Sequence, residues 1–158
     1  MRVAVLSDTH LEQVNPAFAA LFERYLQPAD AVIHCGDVVG EEIEACLRGH
    51  NRAWLVRGNC DYGLQTPASL TLELAGLRLG VAHGWGRSLV GETVARAFGP
   101  GYDLILYGHT HKRDWSRAST GARLFNPGSV SHPRDGQASM AILTLEQNCP
   151  PQVQWIDL

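Results

Sequence analysis

Five short hydrophobic runs divide the first two thirds of the chain, and each run ends at a polar residue. The runs are apolar, rich in β-branched residues and mostly bounded by glycine, which is typical of buried strands. After residue 111 the pattern turns to further strands, at 122–125, 139–145 and 153–158. The five earlier runs cover residues 3–7, 31–36, 53–58, 79–82 and 104–108.

Three helices are predicted between these strands. Residues 16–26 have apolar side chains at helical spacing and a proline at their start, where helices favour it. Residues 41–48 place glutamates in the first turn and an arginine near the end, which suits the helix dipole. Residues 88–98 form the third helix, with Ser88 as its N-cap and Gly99-Pro100 as its stop. Strand and helix therefore alternate, and a β-rich tail follows.

The residues that end the five hydrophobic runs share one property: they are of types (Asp, Asn and His) whose side chains commonly bind metal ions in proteins. In open α/β sheets ligands gather beyond the carboxyl ends of the strands, so we expect these side chains to meet at one edge. A catalytic zinc usually takes three protein ligands and a water, so seven candidates favour two ions rather than one. The candidates are Asp8, His10, Asp37, Asn59, His83, His109 and His111.

Length and composition limit the classes of protein to which this chain can belong. With 158 residues, 45% hydrophobic and 18% charged, it is expected to fold as one domain spanning 1–158. The four cysteines lack C-x-x-C spacing and the start lacks a signal-peptide pattern, so we expect free thiols and a cytoplasmic protein. No apolar run approaches the ~18 residues of a membrane span. A net charge of −3 makes binding of bulk nucleic acid unlikely on charge alone.

Five motifs occur in a fixed order, each at the end of a predicted strand, and a sixth follows them. They are Asp8-Thr9-His10, Gly36-Asp37, Gly58-Asn59-Cys60-Asp61, His83-Gly84, Gly108-His109-Thr110-His111 and Asn126-Pro127-Gly128-Ser129. In this order they resemble the calcineurin-like metallophosphoesterases, and within that superfamily the small bacterial and archaeal phosphodiesterase branch. The resemblance covers nearly the whole chain.

The resemblance implies a fold and a ligand set. The fold is a four-layer αββα sandwich of two mixed β-sheets flanked by helices, with the metal site at the C-terminal ends of strands. The cofactors are two divalent metal ions per chain, manganese first, with nickel, iron or zinc as alternatives. One ion is held by Asp8, His10, Asp37 and His111, and the other by Asp37, Asn59, His83 and His109.

The resemblance also implies a metal-dependent phosphoric ester hydrolase, most simply a phosphodiesterase, in which a hydroxide bridging the metals attacks phosphorus. Its substrate is a small phosphoester, and the residues assigned to catalysis are Asp37, Asn59, His109 and Cys60. Cys60 departs from many larger relatives, which have a histidine there that is thought to protonate the leaving group. A thiol is a weaker acid than imidazolium, so general-acid catalysis by Cys60 is in doubt. Asp61 is a candidate to support the ligands from behind.

Other functions compete with this interpretation. A phosphomonoesterase or nucleotidase would use the same site. A non-catalytic protein-binding scaffold would share the fold, as one retromer subunit does with a degraded metal site, but the seven ligands here are intact. A nuclease is disfavoured by the acidic charge and by the lack of a basic cluster with interleaved aromatics along the sequence.

Overall fold

The computed structural model describes all residues from Met1 to Leu158. Ten strands and three helices follow one another along the chain. In chain order they are β1 (Arg2–Leu6), α1 (Pro16–Leu21), β2 (Ala31–His34), α2 (Glu41–Arg48), β3 (Ala53–Leu55), β4 (Ser69–Leu74), β5 (Leu77–Ala82), α3 (Val90–Phe98), β6 (Leu104–Leu106), β7 (Arg113–Asp114), β8 (Arg123–Pro127), β9 (Ser139–Thr144) and β10 (Gln152–Asp157).

The strands form two five-stranded sheets, each with three parallel strands at its centre or edge. The first sheet has the order β10-β9-β1-β2-β3, in which β1, β2 and β3 are parallel. The second has the order β4-β5-β6-β8-β7, in which β5, β6 and β8 are parallel. The remaining pairings are antiparallel, so both sheets are mixed. Within each sheet, parallel strands bring their carboxyl ends to the same edge.

Side-chain alternation along β1 shows how the layers are built. Val3 and Val5 point toward the second sheet and share a core with Leu79, Leu104 and Phe125. The residues between them point the opposite way, into a second core under α1 and α2. Successive side chains in a strand face opposite sides, and both sides are buried here, so the strand is hydrophobic from Val3 to Leu6.

Helix α3 covers the outer face of the second sheet. Its apolar side, which includes Val90 and Val94, packs on Ile105, Tyr107 and Leu124. The layers are therefore helices, sheet, sheet and helix, and the predicted αββα sandwich is confirmed. None of the helices combines the length and the apolar character that crossing a membrane requires.

The helix boundaries agree with the sequence in two cases out of three. Helix α2 spans the predicted residues, and α1 is capped by Asn15 and continues as a π-helical segment, Phe22–Leu26. Helix α3 begins later than predicted. Its N-cap position is Leu89, in the left-handed region with φ 50°, so the assignment of Ser88 as N-cap was wrong. The strands β4 and β7 were not predicted.

Candidate metal centre

The predicted ligands lie where the central strands of both sheets end. Asp8 follows β1 and Asp37 follows β2, both from the first sheet. His83 directly follows β5, and His109 and His111 follow β6, all from the second sheet. The candidate site therefore lies at the junction of the two sheets, and each sheet contributes part of it.

Two buried carboxylates form the middle of the site. Nε2 of His111 lies 3.0 Å from Oδ1 of Asp8, and Nε2 of His83 lies 3.3 Å from Oδ2 of Asp37. Nε2 of His10 is 3.6 Å from Oδ2 of Asp37 and 3.9 Å from Oδ1 of Asp8. These five side chains form overlapping groups whose ligand atoms lie within 4.8 Å of one another.

Several atoms in this cluster lack a hydrogen-bond partner. Oδ1 of Asp8, Nε2 of His10 and Nε2 of His83 are buried and make no hydrogen bond with the protein. A buried polar atom without a partner is costly, on the order of 1–3 kcal/mol. Cations placed among carboxylate oxygens and imidazole nitrogens would satisfy all three atoms. The residues present therefore fit a metal centre.

Backbone carbonyls orient two of the imidazole rings. Nδ1 of His111 is 2.6 Å from the carbonyl oxygen of His132, and Nδ1 of His83 is 2.8 Å from that of Cys35. A carbonyl can only accept, so each Nδ1 carries a proton and each ring turns Nε2 toward the carboxylates, where it can offer a lone pair to a cation once it is deprotonated. Metal-binding histidines are commonly fixed in this way.

Asn59 and His109 form a neighbouring pair outside the tight cluster. Nδ1 of His109 is 3.0 Å from Oδ1 of Asn59, and Nε2 of the same ring is 2.9 Å from the carbonyl oxygen of Gly86. When Nε2 donates its proton to Gly86, Nδ1 and the Asn59 oxygen present lone pairs to each other. Two lone-pair atoms at this distance suit a shared cation. The His109 ring packs edge-on against His83, with centroids 5.3 Å apart, which connects the pair to the cluster.

The carboxylates are ionised although they are buried. Burial raises the pKa of Asp37, but the neighbouring His83 and the N–H of Cys60 outweigh it and hold that pKa well below its usual range. Burial likewise opposes ionisation of Asp8, yet the neighbouring His111 lowers the pKa of Asp8 overall. The reciprocal effect of Asp8 raises the pKa of His111. The site thus concentrates negative charge that attracts cations.

Five of the predicted ligands have strained backbones. They occupy the left-handed region, which β-carbon-bearing residues rarely adopt. Such residues cost on the order of 1–3 kcal/mol each and cluster at functional sites. The φ angles are 53° at Asp8, 46° at His10, 58° at Asp37, 66° at His109 and 57° at His111.

Three polar side chains hold the ligand-bearing turns in place. Oγ of Ser7 donates to Oδ2 of Asp8 at 2.6 Å, and Oγ of Ser129 donates to the backbone oxygen of Asp8 at 2.9 Å. Nδ2 of Asn126 donates to the carbonyl of Gly108 at 2.8 Å. Asn126 and Ser129 belong to the sixth of the sequence motifs, whereas Ser7 had no signal of its own beyond preceding Asp8.

Cys60 lies inside the ligand cluster. Its Sγ joins His10 and Asp37 in one of the groups within 4.8 Å, and it accepts a hydrogen bond from Nδ2 of Asn59 at 3.2 Å. Burial, with the negative charge of Asp37, raises the pKa of Cys60 to about 11. The side chain is therefore a neutral thiol at neutral pH.

Asp61 joins the two turns that bear Asp37 and Asn59. Its Oδ2 accepts the backbone N–H groups of Asp37 at 3.0 Å and Gly58 at 2.6 Å, and its Oδ1 accepts that of Val39 at 2.8 Å. The carboxylate is buried. One anion thus fixes the relative positions of two ligand-bearing turns.

We expect Asp61→Asn to weaken metal binding by about 10–100-fold, the usual effect of losing a group that orients ligands. An amide has one acceptor oxygen, so its NH₂ group would face at least one of the three N–H donors. Asp30→Asn is the matched control, because Asp30 also accepts a backbone N–H, from Arg2, but lies exposed before β2, at the opposite end of that strand from Asp37. Calorimetric titration with manganese measures the difference, and equal affinities in the two variants would contradict this role.

Comparisons with known proteins agree with the geometry. The family model described as the calcineurin-like phosphoesterase superfamily domain matches residues 1–148. A probable metallophosphoesterase of Methanocaldococcus jannaschii is 34% identical over 150 residues, which cover 92% of this chain and 77% of that protein. The probable metallophosphoesterase YsnB of Bacillus subtilis is 33% identical over 153 residues, covering 94% and 86% of the two chains.

Solved structures show the same fold at lower identity. A zinc complex of Vps29 from Entamoeba histolytica has a TM-score of 0.74 at 20% identity, covering 99% of both chains. An archaeal phosphodiesterase has a TM-score of 0.72 at 21% identity and covers 100% of both chains. With the family model matched over nearly the full length and two relatives above 30% identity, this chain belongs to the calcineurin-like phosphoesterase superfamily.

Proposed function

We propose that this protein is a phosphodiesterase that requires two divalent metal ions. The observation that carries the proposal is the pair of buried, ionised carboxylates, Asp8 and Asp37, with unpartnered imidazole nitrogens directed at them. A structural role explains neither the missing hydrogen bonds nor the strained ligand backbones. Both are accounted for when cations complete the site.

The distances support assigning ligands to two ions. Asp8, His10 and His111 form one group of mutually close ligand atoms, and Asp37 is within reach of His10 on one side and His83 on the other. We propose that Asp37 is shared, that Asp8, His10 and His111 complete one site, and that Asn59, His83 and His109 complete the other. Manganese suits this mixture of imidazole nitrogens with carboxylate and amide oxygens.

Bound divalent ions would supply Lewis acidity, activating a water and offsetting charge on the phosphoryl oxygens. The chain itself contributes positioning. The carbonyls of Cys35 and His132 hold two rings in the metal-binding tautomer, and Asp61 fixes the turns that bear Asp37 and Asn59. Because these groups are fixed before substrate binds, little reorganisation is needed during the reaction.

The weak acidity of the Cys60 thiol bears on which esters this site would hydrolyse. A thiol is a weaker acid than the imidazolium found at this place in larger relatives, so it gives less help to a leaving oxygen. The protein therefore favours esters whose leaving group departs as a stable anion, and activated diesters are the substrates of choice for an assay. We place the protein in the cytoplasm, in keeping with four cysteines that are all free thiols.

The first prediction concerns metal content. We expect two divalent ions per chain after loading with manganese, and loss of activity in a chelator. Asp37→Asn should lower the metal content below two ions, because it removes the carboxylate that both sites share. The Asp30→Asn control should retain both ions. Elemental analysis measures the ratio, and one ion per wild-type chain at saturation would contradict the two-metal site.

The second prediction separates an enzyme from a scaffold. We expect the manganese-loaded protein to hydrolyse bis(p-nitrophenyl) phosphate and His109→Ala to lose roughly 100-fold or more of kcat/KM, since an ion loses a ligand. His50→Ala is the control, because the His50 ring forms hydrogen bonds only with the Ala29 carbonyl and the Arg52 N–H. If the wild type binds metals tightly but stays inert with manganese, nickel, iron, zinc and magnesium, the scaffold interpretation gains and the enzyme proposal fails.

The third prediction concerns Cys60. Because an aryl oxide leaves as a stable anion without a proton donor, we expect Cys60→Ala to hydrolyse aryl diesters within about tenfold of the wild type. Cys60→His should improve alkyl diesters more than aryl diesters, since positioned proton donation contributes about 10²–10⁴-fold only where a leaving group needs it. Rates on matched aryl and alkyl diesters provide the measurement. An equal collapse on both esters in Cys60→Ala would show instead that the thiol is part of the metal centre.

A further inference from the structure

A cleft of about 530 Å³ opens beside the ligand cluster, and its lining is cationic. His109, a proposed metal ligand, forms part of its wall. The charged residues around it are Arg87, Lys112 and Arg134, and no carboxylate lines it. The local charge of the cleft is thus opposite in sign to the net charge of the chain, which is −3.

The three cations have no partner within the protein. Three other arginines form ion pairs: Arg48 with Glu44, Arg96 with Glu92, and Arg113 with Asp157. By contrast, Arg87, Lys112 and Arg134 are exposed and form no ion pair. Like charges gathered in one cleft repel one another, so an arrangement of this kind is stabilised by a bound anion.

Each of the three cationic residues is connected to a proposed metal ligand, either as its chain neighbour or through a hydrogen bond that involves the backbone. Arg87 follows Gly86, whose carbonyl oxygen lies 2.9 Å from Nε2 of His109. Lys112 directly follows the predicted ligand His111. The backbone N–H of Arg134 donates to the carbonyl of His111 at 2.9 Å. The cations are thus held close to the His109 and His111 side of the site, although they come from three separate parts of the chain.

We propose that this cleft binds a second phosphate of the substrate, so that the physiological substrate is a small phosphodiester that also bears a phosphate monoester group. This inference rests on the proposed phosphodiesterase function. The two proposed metal ions would bind the scissile phosphate. The three cationic side chains are therefore available to bind a different anionic group. Two arginines and one lysine suit a phosphate dianion, which arginine binds with paired hydrogen bonds and lysine as a point charge. The volume of the cleft suits a small molecule.

Two chromogenic nucleotides test this inference. One is thymidine 5′-(p-nitrophenyl phosphate), and the other is the same diester with a 3′-phosphate. Both have the same scissile bond and leaving group, so only the additional phosphate differs. We expect kcat/KM to be about tenfold or more higher for the phosphorylated probe, mainly through KM, since a hydrogen bond to a charged group contributes about this much.

Two triple variants locate the effect. In R87A/K112A/R134A the ratio of kcat/KM for the two probes should fall to near one. The control R24A/R48A/R52A removes three charges from exposed positions near the helices of the first sheet, so it changes net charge equally and should keep the wild-type ratio. A ratio near one in the wild type, or a high ratio that persists in R87A/K112A/R134A, would overturn the inference.

A binding experiment separates this inference from the proposed function. If neither probe is hydrolysed, the phosphodiesterase proposal fails, but the cleft is still tested by calorimetry on the manganese-loaded protein. Thymidine 3′,5′-bisphosphate should bind more tightly than thymidine 5′-monophosphate to the wild type, and with equal affinity to R87A/K112A/R134A. Equal affinity of the two nucleotides for the wild type would reject the second-phosphate site.

Discussion

The structure depends on the burial of two ionised carboxylates, Asp8 and Asp37, at the ends of adjacent parallel strands. Removing a carboxylate from water costs several kcal/mol unless charges and hydrogen bonds replace the lost hydration. Much of the surrounding structure provides that replacement. Imidazoles lie 3.0–4.0 Å from these carboxylates, Ser7 donates to Asp8, and the N–H of Cys60 donates to Asp37. Oxygen and nitrogen atoms that still lack partners define where cations belong.

The two-sheet architecture makes this arrangement attainable. A single sheet edge supplies Asp8 and Asp37 from neighbouring strands, and the other sheet supplies His83 and His111 from the opposite side. The shared core between the sheets, centred on residues such as Phe125, keeps the two halves at a fixed distance. Close approach is essential: Gly108 lies so near Ser7 and Asp8 that a β-carbon there would collide with their side chains.

Much of this organisation follows from sequence, because strand periodicity and the gathering of carboxyl ends are local rules that apply wherever parallel strands are buried. The β4 strand was missed because it lies at a sheet edge and its side chains are only partly buried, while β7 has just two residues. Ser88 was misassigned because Leu89 adopts a left-handed conformation that no propensity favours. Tertiary contacts also determine which polar side chains support the ligands. Asp61 acts through three backbone N–H groups, and the cationic cleft joins residues that are far apart in sequence.

The left-handed backbone at the ligands has an evolutionary consequence. Any residue with a β-carbon is strained at such positions, and glycine would relieve that strain. The proposed metal chemistry would account for His10, His109 and His111 at these turns, where the backbone is left-handed. In a lineage released from selection for that chemistry, replacements at these turns would be accepted readily because they stabilise the fold. The same sandwich could then persist without metal chemistry, and each replacement that relieves backbone strain would increase the stability of the fold.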